Sequence, residues 1–377
     1  MIRIVIINCW LLLANWATAQ QDINASIQHG GLVRNYTIHL PTGYNGTTNS
    51  YPLVLNLHGY GSNRHQQALV SEMNDVADTA AFIVVYPDGT FDLTGKRYWN
   101  ANYNNVLDDI GFLNTLVDSL VVNYAINSNR VYSTGYSNGA IMSHTLACES
   151  TNKFAAVASV AGTMAIGQQS SCSPSRAIPV LHIHGTSDAI VPYEGNSLLI
   201  AVDSLINHWI NLNGLDSTPT TTTIPNIDTT DNCTAVSYEY GLSTNTPVQL
   251  IKITGGRHTW AGSTIQQGFG TSGDFEASSV IWNFFNRHSL PTAVTKVAFA
   301  HNLVKQFYSP YAGRLSWQSD LVDYQVQLFN TLGQPLAQTS GQAGDNDWQL
   351  PDLSTGIYIA VFQTANTQQS IKFTISN

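Results

Sequence analysis

The sequence predicts an α/β protein with a mostly parallel central sheet, followed by a small all-β sandwich domain at its C-terminal end. Three observations carry this expectation. Between residues 32 and 288, apolar strand-like runs alternate with helix-like runs, a pattern that packs helices on both faces of a parallel sheet. Gly135-Tyr136-Ser137-Asn138-Gly139 stands between a β-like run, 129–134, and a helix-like run, 140–147, so a sharp strand-to-helix turn falls on Ser137. Beyond Leu290-Pro291 the texture changes to short alternating segments separated by turns. The expected partition is a leader over 1–19, an α/β domain over 20–290, a linker over 291–305 and a β-sandwich over 306–377. A chain of 377 residues with 43% hydrophobic content is long enough for two domains.

At the N-terminus, Arg3, the apolar stretch 4–14 and the small-x-small signature Ala17-Thr18-Ala19 read as a secretory signal peptide. The stretch is short for a membrane span, which counts against the competing reading, a retained membrane anchor. Strands are expected over 32–40 and 53–57, a helix over 66–81, and a strand over 82–86 that ends in Pro87-Asp88-Gly89. A loop carrying Tyr98, Trp99 and Asn100 leads to Asp108-Asp109, an N-cap pair for the amphipathic run 110–124. After the strand 129–134 and its turn come further strands, among them 178–183, and a helix over 197–213. The threonine-rich segment 217–223 interrupts the pattern as a surface insertion. The strand 248–254 and the helix 277–288 close the unit. In the C-terminal region, short strands are expected over 314–318, 324–330, 348–350, 356–362 and 371–375, with a turn at Leu332-Gly333-Gln334-Pro335.

The chemistry-bearing residues follow strands. A serine hydroxyl is a poor nucleophile at neutral pH, so a turn that lifts Ser137 clear of the sheet must also bring it within reach of a base. Glycines at 135 and 139 suit that turn, because side chains there would collide with the neighbouring strand or helix. Asp188 ends the loop after strand 178–183, and His258 lies in the glycine-rich loop after strand 248–254. The order Ser137, Asp188, His258 is that of α/β-hydrolases. The oxyanion of a tetrahedral intermediate needs two donors. The N–H of Asn138 is one, and the N–H of Tyr60, in His58-Gly59-Tyr60-Gly61 after the strand 53–57, is the expected second. Tyr60, Trp99 and Trp260 are the candidates for contact with substrate. Plainer readings stand beside each. An Asp at a strand end is commonly a cap or turn residue, and Asp108, Asp109, Asp203 and Asp231 compete with Asp188. His182 and His184 alternate in a strand, where satisfied core positions are the ordinary outcome, and either tryptophan serves equally as a core aromatic.

The motifs HGYGSN, GYSNGA, FAAVASVAGTM, HGTSDAIVPYEG and GGRHTWAG together resemble the secreted esterase family that includes polyhydroxybutyrate depolymerases and feruloyl esterases, over residues 25–290. The resemblance implies a serine esterase with Ser137, Asp188 and His258 as its triad. Its ester bonds would lie in polymers such as polyhydroxybutyrate or in feruloyl or acetyl substituents of plant polysaccharide. It also implies a disulfide between Cys148 and Cys172. Two departures are visible: Arg257 and Ala261 replace a glycine and a proline of the usual base motif, and Leu215 stands where relatives carry a cysteine, leaving Cys233 either free or paired differently. The segments VQLFNTLGQPL and LPDLSTGIYIAVF and the terminal IKFTISN resemble the C-terminal sorting domain of the type IX secretion system of Bacteroidetes-like bacteria. That implies passage through secretion machinery and a secreted or surface-attached bacterial product. A carbohydrate- or polymer-binding module of the same sandwich class is the alternative.

Only 10% of residues are charged and the net charge is −9, so no basic stripe exists to displace counterions from phosphates, and nucleic-acid partners are not expected. The expected chemistry is two-step acyl transfer with no metal and no organic cofactor, by a monomer. Activity on aromatic polyesters, a peptidase or acyltransferase on the same residues, and a non-catalytic polymer-binding protein remain alternatives, since fold does not fix substrate.

Overall fold

The computed structural model of the protein describes residues 21–101, 107–266, 270–290, 304, 306–311, 314–320, 322–330, 334–364 and 368–375, and the structural statements below concern these residues. The expected signal peptide over 1–19, with Cys9, and all of the expected linker except residue 304 lie outside them. The described residues fall into two compact units that divide after Leu290.

In the first unit the strands are β1 (Gln21–His29), β2 (Leu32–Leu40), β3 (Tyr51–Leu57), β4 (Ile83–Pro87), β5 (Thr90–Phe91), β6 (Arg97–Tyr98), β7 (Ile126–Tyr136), β8 (Ala156–Val160), β9 (Val180–Gly185), β10 (Thr220–Ile224), β11 (Thr234–Tyr240) and β12 (Val248–Thr254). The helices are α1 (Arg64–Ser71), α2 (Met73–Ala80), α3 (Asp109–Asn123), α4 (Asn138–Glu149), α5 (Ile166–Ser171), α6 (Val202–Asn213) and α7 (Ala277–Phe285). Ten strands form one sheet in the order β1-β2-β4-β3-β7-β8-β9-β12-β11-β10. From β4 to β12 all neighbours are parallel, and two antiparallel strands extend each edge. The strand residues alternate between two apolar layers. Leu53, Leu55 and Leu57 pack with α3, α4 and α6 through Phe112, Leu116, Leu146 and Trp209, whereas Val54 and Val84 face Met73 of α2 and Trp282 and Phe285 of α7. Cover on both faces explains why β3, β4, β8 and β9 are buried along their whole length and read in the sequence as unbroken apolar runs.

Several elements depart from expectation. The single helix expected over 66–81 is two, because Glu72 takes the left-handed region (φ 49°), ends α1 with its N–H on Ala68 O and re-aims α2 so that Met73 and Ala77 are buried. The threonine segment expected as a surface insertion is in part the edge strand β10, where β-branched side chains suit an extended backbone and only one face needs a partner. The helix expected over 197–213 begins at Val202, and the last one ends at Phe285. Strands β1 and β11 and the short helix α5 add to the expected set.

In the second unit, strands Gln306–Tyr311, Arg314–Ser319 and Gly344–Gln349 form one antiparallel sheet, and Tyr324–Asn330, Pro335–Gly341, Gly356–Gln363 and Gln368–Ile375 form another. Leu315 and Trp317 from the first share one apolar cluster with Val326, Leu328, Ala360 and Phe362 from the second. Trp317 Nε1 donates to Tyr324 Oη at 2.7 Å, which satisfies both buried polar tips.

Cys148, near the end of α4, and Cys172, just past α5, form a disulfide across a separation of 24 residues. Cys233 is a buried free thiol, and burial, followed by the carboxylates of Asp231, Asp274 and Asp228, pushes its pKa up to about 11. The loop-closure entropy removed from the unfolded chain is about 3.5 kcal/mol for a loop of this size. A Cys148→Ala/Cys172→Ala double variant is therefore expected to lose about that much unfolding free energy in urea titrations; a loss near zero contradicts a stabilising role for the bridge.

Candidate active site

Ser137 occupies the N-cap position of α4 with φ 55° and ψ −115°, a conformation that L-residues rarely adopt. Its N–H donates to Val160 O at 2.9 Å, and its carbonyl accepts from Ala140 and Ile141, so the turn is tied to β8 on one side and to the helix on the other. The flanking glycines are sterically required. A Cβ on Gly139 would lie 2.2 Å from Leu57 O, one on Gly135 would lie 2.5 Å from the Gly139 carbonyl, and one on Gly162 would lie 2.2 Å from Ser137 O. The collision expected from the sequence is thus present at both elbow glycines.

His258 Nδ1 lies 2.7 Å from Asp188 Oδ2, and the Asp188 side chain is fully buried while that of His258 is 17% exposed. Asp188 Oδ1 accepts from the N–H groups of Ile190 and Val191, at 2.8 and 2.9 Å. Burial raises the Asp188 pKa, but the hydrogen bond and charge of His258 with the Val191 N–H outweigh it, and the carboxyl is held below its usual range. The Tyr136 hydroxyl donates to His258 O at 2.5 Å, and the two rings lie 5.0 Å apart, so the residue before Ser137 fixes the loop that carries His258. With Nδ1 committed to Asp188, Nε2 is the ring nitrogen left for another partner. No Ser137 Oγ to His258 hydrogen bond is formed among the described residues; such contacts are commonly long without substrate and tighten when it binds.

Gly59 abuts Ser137, since a Cβ built there would lie 3.4 Å from Ser137 Cβ, and this brings Tyr60 to the same edge of the site. The Asn138 N–H is the first of α4 and has no intrahelical acceptor. The Asn138 side chain clamps Trp99, accepting from its N–H at 2.6 Å and donating to its carbonyl at 3.1 Å. The Tyr60 ring is half-exposed and its hydroxyl donates to Asp92 at 2.6 Å. That bond is the first cause holding Asp92 below the usual carboxylate range.

The expectation that Trp99 and Trp260 contact substrate is corrected by their surroundings. Both are 1% exposed, and their indole N–H groups are used internally, by His58 O at 3.0 Å and Ser278 Oγ at 3.2 Å. They brace the loops behind the site. Of the departures in the base motif, Arg257 is exposed and Ala261 is buried. The acids that compete with Asp188 are engaged elsewhere. Asp108 caps α3 through Gly111 N, and Asp203 accepts from Tyr193 Oη. Asp231 accepts from the N–H groups of Cys233 and Gly273. Asp109, expected as part of a cap, is instead buried against Arg34 at 2.6 Å, and it also accepts from Asn100 N at 2.7 Å. Sequence reasoning missed that pair and the Asn138 clamp because neither has a local signature.

Residues 34–197 match a protein-family model described as Esterase PHB depolymerase. A bifunctional acetylxylan esterase/xylanase of Neocallimastix patriciarum is 29% identical over 174 residues, covering 46% of this chain and 24% of that protein. Feruloyl esterase B of Piromyces equi is 26% identical over 270 residues, covering 68% of this chain and 46% of that protein. The chain thus spans a quarter to a half of the length of these relatives. A solved structure named FAE superposes with a TM-score of 0.51 at 14% identity, over 75% of this chain and 92% of that one. The fold is that of the α/β-hydrolases, and the family and relatives support an esterase.

Several histidines of the first unit are buried. Burial lowers the pKa of His144 to about 3 and that of His288 to about 4, and holds His182 well below its usual value. The unfolded chain therefore takes up protons first as pH falls through about 6.5, so stability is complete above that pH and declines below it. Each fully buried histidine contributes a slope of up to about 1.4 kcal/mol per pH unit. Urea unfolding between pH 7.5 and 4.5 is expected to show stability falling before the carboxylates titrate; a flat profile down to pH 5 contradicts it.

Proposed function

We propose that this protein is a secreted carboxylic ester hydrolase that works through an acyl-enzyme on Ser137. The observation that carries the reading is the left-handed Ser137 at a strand-to-helix turn, in a chain whose Asp188 holds Nδ1 of His258. In the first half-reaction His258 takes the Ser137 proton as the oxygen attacks the ester carbonyl. Asp188 fixes the imidazole tautomer and stabilises its charged form, and the Tyr60 and Asn138 N–H groups receive the oxyanion. His258 then protonates the leaving alcohol, and water repeats the sequence on the acyl-enzyme. These steps need no metal or organic cofactor.

The substrate is an ester of a polymer: feruloyl or acetyl groups on plant polysaccharide, or a polyester of the polyhydroxybutyrate kind. Support comes from the family match and from the names of the relatives. Exposed apolar side chains on the loops that carry the site, Tyr60, Ile190 and Ile265, offer contact to such a surface. Export is supported by the leader-like residues 4–19 and by the Cys148–Cys172 bridge, which suits an oxidising compartment. The C-terminal unit is proposed to be the sorting domain through which secretion machinery handles the chain.

The test compares the protein with Ser137→Ala on methyl ferulate, acetylated xylan, a polyhydroxybutyrate suspension and short p-nitrophenyl esters. Activity is expected on at least one polymer ester, with a loss of about 10³-fold or more in the variant. Equal activity in both proteins, or none in folded wild type, overturns the reading.

A further inference from the structure

Among the buried histidines that the triad reading leaves without a role, two lie on β9. His182 and His184 lie two residues apart on β9, share a face of the sheet, and are 0% and 1% exposed. Ser159 on β8 is paired in register with His182, and its Oγ lies 2.6 Å from His182 Nδ1. His182 Nε2 lies 3.0 Å from His184 Nδ1, and His184 Nε2 lies 2.8 Å from Val191 O and 3.4 Å from Asp188 Oδ2. A carbonyl oxygen only accepts, so His184 Nε2 carries a proton. A neutral His184 then offers Nδ1 as acceptor, which places the proton of His182 on Nε2 and leaves His182 Nδ1 to accept from the Ser159 hydroxyl. The other acceptor near that hydroxyl, Leu181 O, is farther away at 3.3 Å. Every donor along the chain therefore points the same way, from β8 through β9 into the loop that presents Asp188.

Building on that reading of Ser137, Asp188 and His258, we propose that His184 is a positioning residue for the triad. It is the last link of a one-directional hydrogen-bond chain, Ser159–His182–His184, that holds the Asp188 loop and carboxylate in the orientation His258 requires. Val191 sits between the two halves of the device: its N–H grips Asp188 Oδ1 while its carbonyl is gripped by His184. The same Nε2–H is aimed near Asp188 Oδ2, the oxygen that receives His258. Burial keeps both imidazoles neutral, so the chain supplies oriented dipoles without a buried charge. The titratable groups facing the chain from other elements are His144 of α4, 5.9 Å from the His182 ring, Tyr193, edge-on to His184 at 6.0 Å, and His258 across Asp188. Lys252 of β12 lies beyond Tyr193, 4.7 Å from that ring. The alternative is a pair of satisfied core histidines whose loss costs stability alone.

Kinetics on a soluble p-nitrophenyl ester separate the two. For His184→Phe, kcat is expected to fall about 10- to 100-fold, with KM changed by less than about two-fold, because the loss is one of aim rather than of binding. The acid limb of kcat/KM is expected to move up by about half a pH unit, since an Asp188 charge less satisfied by neutral donors favours protonated His258 more strongly. His184→Gln, which keeps a donor toward Val191 O and an acceptor toward His182, is expected to recover most of the loss. Wild-type kcat and pH profile in folded His184→Phe, or equal losses in both variants that track a lowered melting temperature, overturn the proposal. Long-range 1H–15N NMR of histidine-labelled Ser137→Ala protein reads the tautomers without catalysis. Neutral Nε2–H on both His182 and His184 is expected, and Nδ1–H on His184 overturns the chain. Absence of Ser137-dependent activity in wild type is a separate failure, of the esterase reading, and removes the positioning role with it.

Discussion

The backbone of Ser137 is the constraint on which the rest of the site depends. Holding a non-glycine residue at φ 55° costs on the order of 1–3 kcal/mol, and it persists only where the surroundings over-determine it. Here they do. The Ser137 N–H is bound to β8, its carbonyl starts α4, and backbone atoms of β3 and the elbow itself occupy the space that side chains at 135, 139 or 162 would need. Helix α4 is anchored by Met142, Leu146 and Ala147, all fully buried. Burying each large apolar side chain contributes about 1.5–3 kcal/mol, so a few such contacts outweigh the strain at one residue.

From that fixed point the loops are held by polar contacts of long sequence range. Asn138 clamps Trp99, whose indole reaches back to His58 O, and Tyr136 holds the carbonyl of His258. Asp109, paired with Arg34, fixes Asn100 beside that clamp. A buried ion pair of this kind is weak evidence for net stability, since desolvation opposes the Coulombic gain, but removing one partner would leave a bare charge in the core. Its structural effect is to set the loop register. The Asp188 carboxylate is satisfied on both oxygens, which leaves little freedom in where His258 points.

Much of this was legible in the sequence where a local rule governs. Glycine spacing marked the turn at Ser137 because sterics at those positions are local, and the apolar runs of β3, β4 and β9 marked buried parallel strands. Edge strands were less legible. In β1, Ile23, Ala25 and Ile27 alternate with polar residues and pack on the core, a period-two signal present but weak among Gln, Asp and Asn. The threonines of β10 face solvent, so composition alone read as a surface segment. The break at Glu72 has neither Gly nor Pro to announce it. Trp99 and Trp260 lie close in sequence to site residues, yet sequence proximity does not tell which way a ring points; each is turned inward by an acceptor supplied from elsewhere in the chain. The Arg34–Asp109 pair joins residues 75 apart and could be found only in three dimensions.

The proposal that Ser137 is the activated nucleophile is the central claim, and covalent labelling tests it most directly. Folded protein treated at neutral pH with a fluorophosphonate is expected to gain a single phosphonyl group, localised to Ser137 by fragmentation mass spectrometry, with labelling strongly slowed in His258→Ala. Labelling of a different residue, or none at all in protein shown to be folded, would contradict the account.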